Sequence, residues 1–361
     1  MFNDKSRIQK LLIYSKDKTI KNLVFPILIV GLIFAFLIDL VLGSINIPIY
    51  EVINILLGQE PEKMTWTNII LKFRLPKALT ATLAGAALGV SGLQMQTLFK
   101  NPLAGPFVLG ISSGASLGVA LVVLTATTTT QTLLVEWGVI GDLGLVIAAS
   151  IGAASVLGIM LVVSHRVQDT MTLLILGLLF GYATSAIVSI LLQFSSQERI
   201  QNYLMWTFGS FAGITWRQLT ILTPVILLGL LVAVLLSKPL NALLLGESYA
   251  RSLGSTVQHT RLFVISSASI LAGAITAFCG PIAFLGVAIP HLCRNIFYTS
   301  DHRILIPGVA IMGAILALIA DLFSQFWGSQ MVLPLNAITA LLGTPVVTWV
   351  ILRRNSQKFP T

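Results

Sequence analysis

The chain has 361 residues, of which 56% are hydrophobic and only 10% charged, and its formal net charge is +9 at pH 7. Soluble domains carry about a quarter charged residues, so this composition excludes an ordinary soluble fold, and the mean hydropathy of +0.92 points to a bilayer. The two cysteines, Cys279 and Cys293, fall in apolar runs without the spacing of a disulfide framework, and His165, His259, His291 and His302 are scattered, so no metal site is expected.

In chain order, residues 1–22 hold six basic residues, and no small-residue cleavage pattern follows the first apolar run. This reads as a cytoplasmic N-terminal segment rather than a cleaved signal peptide. Beyond it, stretches 78–99, 143–164, 170–197, 218–237, 262–290 and 322–352 contain no Asp, Glu, Lys or Arg. A bilayer crossing takes about 20 such residues, and backbone groups in lipid must pair within the segment. We therefore expect an all-α polytopic membrane protein. Ten transmembrane helices are expected at roughly 23–43, 76–98, 105–125, 142–164, 170–194, 217–237, 258–279, 281–298, 303–323 and 335–352, followed by a tail over 353–361. Gly280 and Pro281 divide the run at 262–290, and Pro334 sets off the last span.

The stretch LFKNPLAGPFVLGISSGASLG (98–118) concentrates helix breakers and small residues between apolar runs. Asn101-Pro102 and Gly105-Pro106 force a non-helical turn. Gly110, Gly114 and Gly118, spaced by four, are expected on one helix face for close packing or along a pathway. Ser112, Ser113 and Ser116 add hydroxyls able to bond across helices. Both a pathway-side turn and a packing detail without a gating role fit these residues.

Between the sixth and seventh spans, KPLNALLLGESYARSLGSTVQ (238–258) is too long for a turn and too polar at its centre to span. It reads as two short helices meeting at Gly246, with Leu243, Leu244, Tyr249 and Leu253 packing and Glu247 and Arg251 paired at i,i+4. A plain surface loop is the alternative.

Basic residues orient the spans. With the N-terminus inside, 16 of the 22 basic residues lie on the cytoplasmic side, and the outer side keeps Lys63, Lys72, Arg74, Lys77, Arg199 and Arg217. Trp66, Trp137, Trp206, Trp216 and Trp327 then fall at the outer edge, as an aromatic belt would. This placement accounts for the positive charge without nucleic acid. Inside the spans, beyond their first residues, only Asp39 and Asp321 are acidic, both near outer helix ends. Ion-coupled transporters place ionisable groups along the path, so their scarcity suits a pathway powered from outside the chain. No G-x-x-x-x-G-K-[ST] phosphate loop occurs, so the chain is not expected to hydrolyse ATP.

RLPKALTATLAGAALGVSGLQMQTLFKNPLAGPFVLGISSGASLG (74–118) resembles the signature of the FecCD-type permeases, the membrane subunits of ABC importers for iron-siderophores, haem and cobalamin. GPIAFLGVAIPHLCRN (280–295), SDHRILIPGVAIMGAILALIAD (300–321), YLMWTFGSFAGITWRQ (203–218) and LPLNAITALLGTPVVTWVILRR (333–354) are similar to further motifs of that family. The resemblance implies a permease domain over 23–352 of the ABC type II importer fold. Its expected partners are a second copy in a homodimer, two cytoplasmic ATPase subunits, an external substrate-binding protein and membrane lipid, with no nucleic acid. ATP and Mg would sit on the ATPase, and no cofactor on this chain. The expected location is the bacterial or archaeal cytoplasmic membrane, multi-pass, with both termini cytoplasmic.

The resemblance also implies roles for residues. The insertion at about 238–257 matches the coupling helices, with Gly246, Glu247, Arg251 and Gly254 as the ATPase contact. Asn101 matches a cytoplasmic-gate position, and Asp169 and Thr170 fall where the other gate residues lie, although Asp169 departs from the usual small hydroxyl. Arg74 and Lys77 match the basic docking residues for the binding protein; by position alone, they would anchor to lipid phosphates. Gln325 stands where some relatives carry a third basic residue. The expected cargo is an iron-siderophore-type chelate, with haem or cobalamin as alternatives. A stand-alone secondary transporter and a membrane scaffold are the competing classes.

Overall fold

The computed structural model describes residues 23–43, 45, 47–59, 61–125, 142–167, 169–252, 254, 256–325 and 333–356. The expected N-terminal segment, Trp137, Trp327, Leu253 and the end of the tail lie outside the described residues. All regular structure among the described residues is helical.

Helix α1 (Leu23–Val41) is followed by the short α2 (Ile49–Leu56). Next, α3 (Met64–Asn68), a π-helical turn (Ile69–Arg74) and α4 (Leu75–Leu98) run on as one 35-residue helical stretch, Met64–Leu98. The second span therefore begins well before the expected residue 76. Pro76, near the start of α4, lacks an N–H and fits the widened turn that precedes it.

After α4, Lys100 takes φ +48° and the chain turns through the Asn-Pro segment into a 3₁₀ turn (Pro106–Leu109). Gly110 follows at φ +78°, a left-handed conformation that glycine adopts without steric cost. Helix α5 (Ile111–Thr125) starts only beyond it. This corrects the expected third span: Gly110 terminates the 3₁₀ turn rather than sharing a helix face with Gly114 and Gly118.

Next come α6 (Asp142–Arg166), α7 (Thr170–Gln193), the short α8 (Gln197–Thr207) and α9 (Trp216–Leu235). Thr215 and Gln218 form a reciprocal capping box at the start of α9. Helices α10 (Ser237–Leu245) and α11 (Glu247–Ser252) flank Gly246, whose φ of +116° turns the chain sharply. Helix α12 (Val257–Cys279) stops at Gly280, with φ +75°. The last elements are α13 (Leu285–Phe297), α14 (His302–Gln325) and α15 (Leu335–Ser356).

Seven helices among the described residues are long and apolar enough to cross a membrane. The remaining expected spans fall on α5, α13 and α15, of which α15 is apolar over Leu335–Trp349 only.

Helix α4 is the axis of the bundle and packs against α14, α12, α13, α9 and α10. A second group forms where α5 packs on α6, α7 and α8, and α12 touches both groups through α4, α5 and α6. Backbone contact replaces side-chain interdigitation at several crossings. A Cβ added at Gly92 would lie 1.7 Å from the carbonyl oxygen of Gly286, and one at Gly85 would lie 2.0 Å from that of Gly313. Small residues permit such approach, and dispersion gained at close range drives helix association in lipid.

Candidate functional site

The end of the bundle bearing α10 and α11 gathers most of the sequence-predicted site residues. Asn101 sits in the α4–α5 turn, where its Oδ1 accepts from the Leu103 amide at 3.0 Å. This Asx turn is the local reason for Asn before Pro. His291 on α13 lies 2.7 Å by Nε2 from the Pro102 carbonyl oxygen, fastening the turn to the bundle. Asp169 caps α7: Oδ2 accepts from the Thr172 amide at 2.8 Å and from the Thr172 hydroxyl at 2.6 Å, and Oδ1 accepts from the Met171 amide at 3.3 Å. These donors, led by the Thr172 hydroxyl, hold its carboxyl below the usual carboxylate range. The acid in place of a small hydroxyl thus has a structural explanation as an N-cap. Thr170 opens α7 partly buried.

Helices α10 and α11 are held by different partners. On α10, Asn241 Nδ2 donates to Asp301 at 2.6 Å, while its Oδ1 accepts the His302 amide at 2.9 Å and lies 2.7 Å from His302 Nδ1. The other ring nitrogen of His302 lies 2.8 Å from the Thr97 hydroxyl of α4. On α11, Glu247 pairs with Arg261 of α12 at 3.1 Å and, more loosely, with Arg251 at 3.8 Å. Ala242, Leu243, Ala250 and Val257 form a small buried cluster beneath the two helices. Leu244 and Tyr249 depart from the expected packing and stand exposed, as does Leu245. A Cβ at Gly246 or at Gly254 would meet nothing within 4 Å. The two short helices thus offer an open, partly apolar face.

Between the two ends, Gly114 and Gly118 lie against α6: a Cβ at Gly114 would meet the Gly152 oxygen at 2.6 Å, and one at Gly118 the Ala148 oxygen at 2.1 Å. The opposite side of α5 carries the serines. Ser112, Ser113, Ser116, Ser185, Val188, Tyr203 and Pro281 line a groove of about 180 Å³, in which the Ser116 and Tyr203 hydroxyls lie 2.5 Å apart.

At the opposite end, the expectation of an exposed basic pair is corrected. Arg74 and Lys77 are each 7% exposed. Arg74 donates to the carbonyls of Leu40 and Val41 at 2.8 Å each and to that of Ile45, closing off the exit of α1. Lys77 pairs with Asp321 at 2.7 Å and with Asp39 at 3.4 Å. Gln325, at the position of the missing third basic residue, donates to Asp321 at 2.5 Å. Taking charges out of water is costly unless they are matched. Lys77 answers both acids and Arg74 is answered by three backbone carbonyls, which explains how the basic pair tolerates burial. The pairing was not readable from the sequence because the partners lie 38 and 244 positions from Lys77. Asp39 and Asp321, read as lone acids, were the available signal. Likewise unread was Arg261, whose guanidinium bridges Glu247 and the Val167 carbonyl, the latter at 3.1 Å.

Comparison with known proteins agrees with this architecture. Residues 31–353 match the model of the FecCD transport family. The hemin transport system permease protein HmuU of Yersinia pestis is 33% identical over 334 residues, 92% of this chain and 98% of that protein. The vitamin B12 import system permease protein BtuC of Shigella sonnei is 37% identical over 284 residues, 79% of this chain and 83% of that protein. A solved structure of an ABC transporter assigned to the metal-chelate type, in an inward-facing conformation, superposes with a TM-score of 0.78 at 27% identity and covers 90% of this chain and 97% of that one. With a match across nearly its whole length and a helical bundle to accompany it, the chain belongs to the FecCD transport family.

Proposed function

We propose that this chain is the membrane permease subunit of an ATP-driven importer, embedded in the cytoplasmic membrane with ten spans and both termini inside. ATP hydrolysis then belongs to separate ATPase subunits. The observation that carries this reading is the α10–α11 pair. Leu244, Leu245 and Tyr249 stand exposed around a Gly246 bend, beside Glu247 and Arg251. A lipid surface has no need of this arrangement, whereas a protein partner outside the membrane does. Family membership supplies the class of that partner, an ATP-binding-cassette subunit. The permease works as a homodimer with two such subunits and an external substrate-binding protein.

The cargo is a metal chelate of the iron-siderophore type. The relatives named for hemin and vitamin B12 keep those two as the alternatives, since all three are bulky chelates. Asn101, Asp169 and Thr170 border the cytoplasmic mouth of the pathway. A docking role for Arg74 and Lys77 requires their release from Asp39, Asp321 and the α1 carbonyls. Arg217, outside that cluster and exposed, is the freer candidate for meeting an external protein.

Co-purification of the tagged chain with the ATPase of its transport system tests the class. Uptake of ferric siderophore, haemin and cobalamin into proteoliposomes tests the cargo. The expected result is a stable permease–ATPase complex, ATP-dependent uptake of the ferric chelate, and loss of ATPase retention in Gly246→Trp. That glycine has positive φ, which a Trp side chain strains. A chain that never retains an ATPase would defeat the reading.

A further inference from the structure

The two short helices are fastened to different parts of the bundle. Helix α10 belongs to the α4–α14 group through Asn241, which bonds Asp301 and His302 while His302 reaches Thr97. Helix α11 packs on α10 and, among the membrane-length helices, on α12, and its charged tie is Glu247 to Arg261. The Arg261 side chain is 4% exposed and holds two acceptors among the described residues. Nη2 holds Glu247 at 3.1 Å, and Nη1 donates to the Val167 carbonyl at 3.1 Å, at the exit of α6. Two residues further on, Asp169 caps α7, and the Arg261 charge acts on that carboxylate as well. Between α10 and α11 stands Gly246 at φ +116°.

We propose that Arg261 is the positioning residue that carries displacement of α11 to the α6–α7 turn. This rests on reading the chain as an importer permease whose α10–α11 face meets an ATPase. In that setting, an ATPase moving against the face bends the pair at Gly246. Helix α10 stays with α4 and α14. Helix α11 shifts Glu247, and the rigid planar guanidinium passes the shift to Val167 and on to the start of α7. A guanidinium suits this because its fixed fork bonds two acceptors in defined directions, whereas an ammonium acts as a point charge. The residues at the cytoplasmic mouth then respond to α11 without touching the ATPase.

The test uses the permease–ATPase complex in nanodiscs, labelled with a membrane-impermeant maleimide at Thr170→Cys. The native cysteines are buried, at 3% and 0% exposure, and give little background. Labelling is compared without nucleotide and after trapping with Mg-ATP and vanadate. The wild-type background is expected to show a rate change of at least about fivefold, the lower range of allosteric coupling between sites. Arg261→Gln, at a buried residue outside the contact face, should reduce that change below about twofold with ATPase stoichiometry and hydrolysis retained, and Glu247→Gln, which preserves shape, should reduce it to the same extent. Arg261→Lys should fall between. A purely structural anchor would leave the nucleotide response of Glu247→Gln intact, and that result would overturn the proposal. An assembled wild-type complex whose position 170 ignores nucleotide would overturn it too, while leaving the importer reading standing. Failure of the wild-type chain to bind any ATPase would instead defeat the importer reading and the transmission with it.

Discussion

Helices α4 and α7 have the same length, 24 residues, and opposite surroundings. The stretch containing α4 has 83% of its apolar window buried, against 22% for α7. Yet α4 is the more polar of the two: Thr80, Ser91, Gln94, Gln96 and Thr97 are all buried along it. Helix α7 turns Met171, Ile175, Leu178, Leu179, Ile187 and Ile190 outward. In water, this order would be inverted. In a bilayer, the outside is hydrocarbon, so the most apolar faces are turned to the exterior, and polar groups collect where protein can pair them. Helix α4 pairs them well. Ser91 donates to the Ala268 carbonyl at 2.7 Å, Gln94 to Ser267 at 3.2 Å, and Gln96 to the Val287 carbonyl at 3.1 Å while accepting from Arg294 at 2.5 Å.

The contrast can be broken most severely at a backbone crossing of α4. Gly92→Leu places a branched side chain where a Cβ alone would be 1.7 Å from the Gly286 oxygen. No monodisperse protein is expected on size-exclusion chromatography. Recovery of folded protein would mean that α4 and α13 separate far more easily than their contact implies.

Next in size is the charge cluster at the far end of α4. Lys77→Met leaves Asp39 and Asp321 facing each other without their ammonium. Removing one partner of a buried ion pair costs about 3–5 kcal/mol, read as aggregation at a clearly lower temperature. Neutralising the acids as well, with Asp39→Asn and Asp321→Asn, should restore most of the loss. The reversal of Arg74 and Lys77 to Glu is likewise expected to impair the fold itself, rather than docking alone. A well-folded double reversal would return the pair to a surface role.

On α7, Leu179→Ala removes an exposed apolar side chain. Lipid chains take the vacated space, so the isolated chain should change by no more than about 0.5 kcal/mol. A loss of dimer in crosslinking would place this face of α7 against the second copy and sharpen the comparison with α4.

The smallest effect is at the α7 cap. Because the Asp169 pKa is depressed by its hydrogen bonds, the stabilisation is complete above the ordinary Asp value of about 4 and is lost as pH falls through the folded value. Faster amide exchange at Met171 and Thr172 in acid, relative to Asp169→Asn at the same pH, is the expected signature. Parallel pH dependence in the two proteins would show that the carboxylate contributes nothing as an anion.

Much of the fold was legible because hydrocarbon imposes a simple rule on sequence. The expected spans at 142–164, 170–194, 217–237, 258–279 and 303–323 became α6, α7, α9, α12 and α14 almost residue for residue, and Gly280 ended α12 where expected. The bend at Gly246 between two short helices also followed from a polar centre flanked by leucines. Asn101 and Asp169 were visible as residues of note, since Asn before Pro and Asp before a helix have local meanings that need no distant partner. Local hydrogen-bond chemistry and the solvent preference of each segment were thus determined by the sequence alone. Only the tertiary structure decided which charges meet. It turned Arg74 and Lys77 inward to Asp39, Asp321 and the end of α1, and it brought Arg261 between Glu247 and Val167. A lysine at a helix end looks the same in sequence whether it faces phosphate, water or a buried acid. The choice depends on which helices pack beside it, and that is set by backbone crossings such as Gly85–Gly313, which lays α14 along α4 and so brings Asp321 to Lys77.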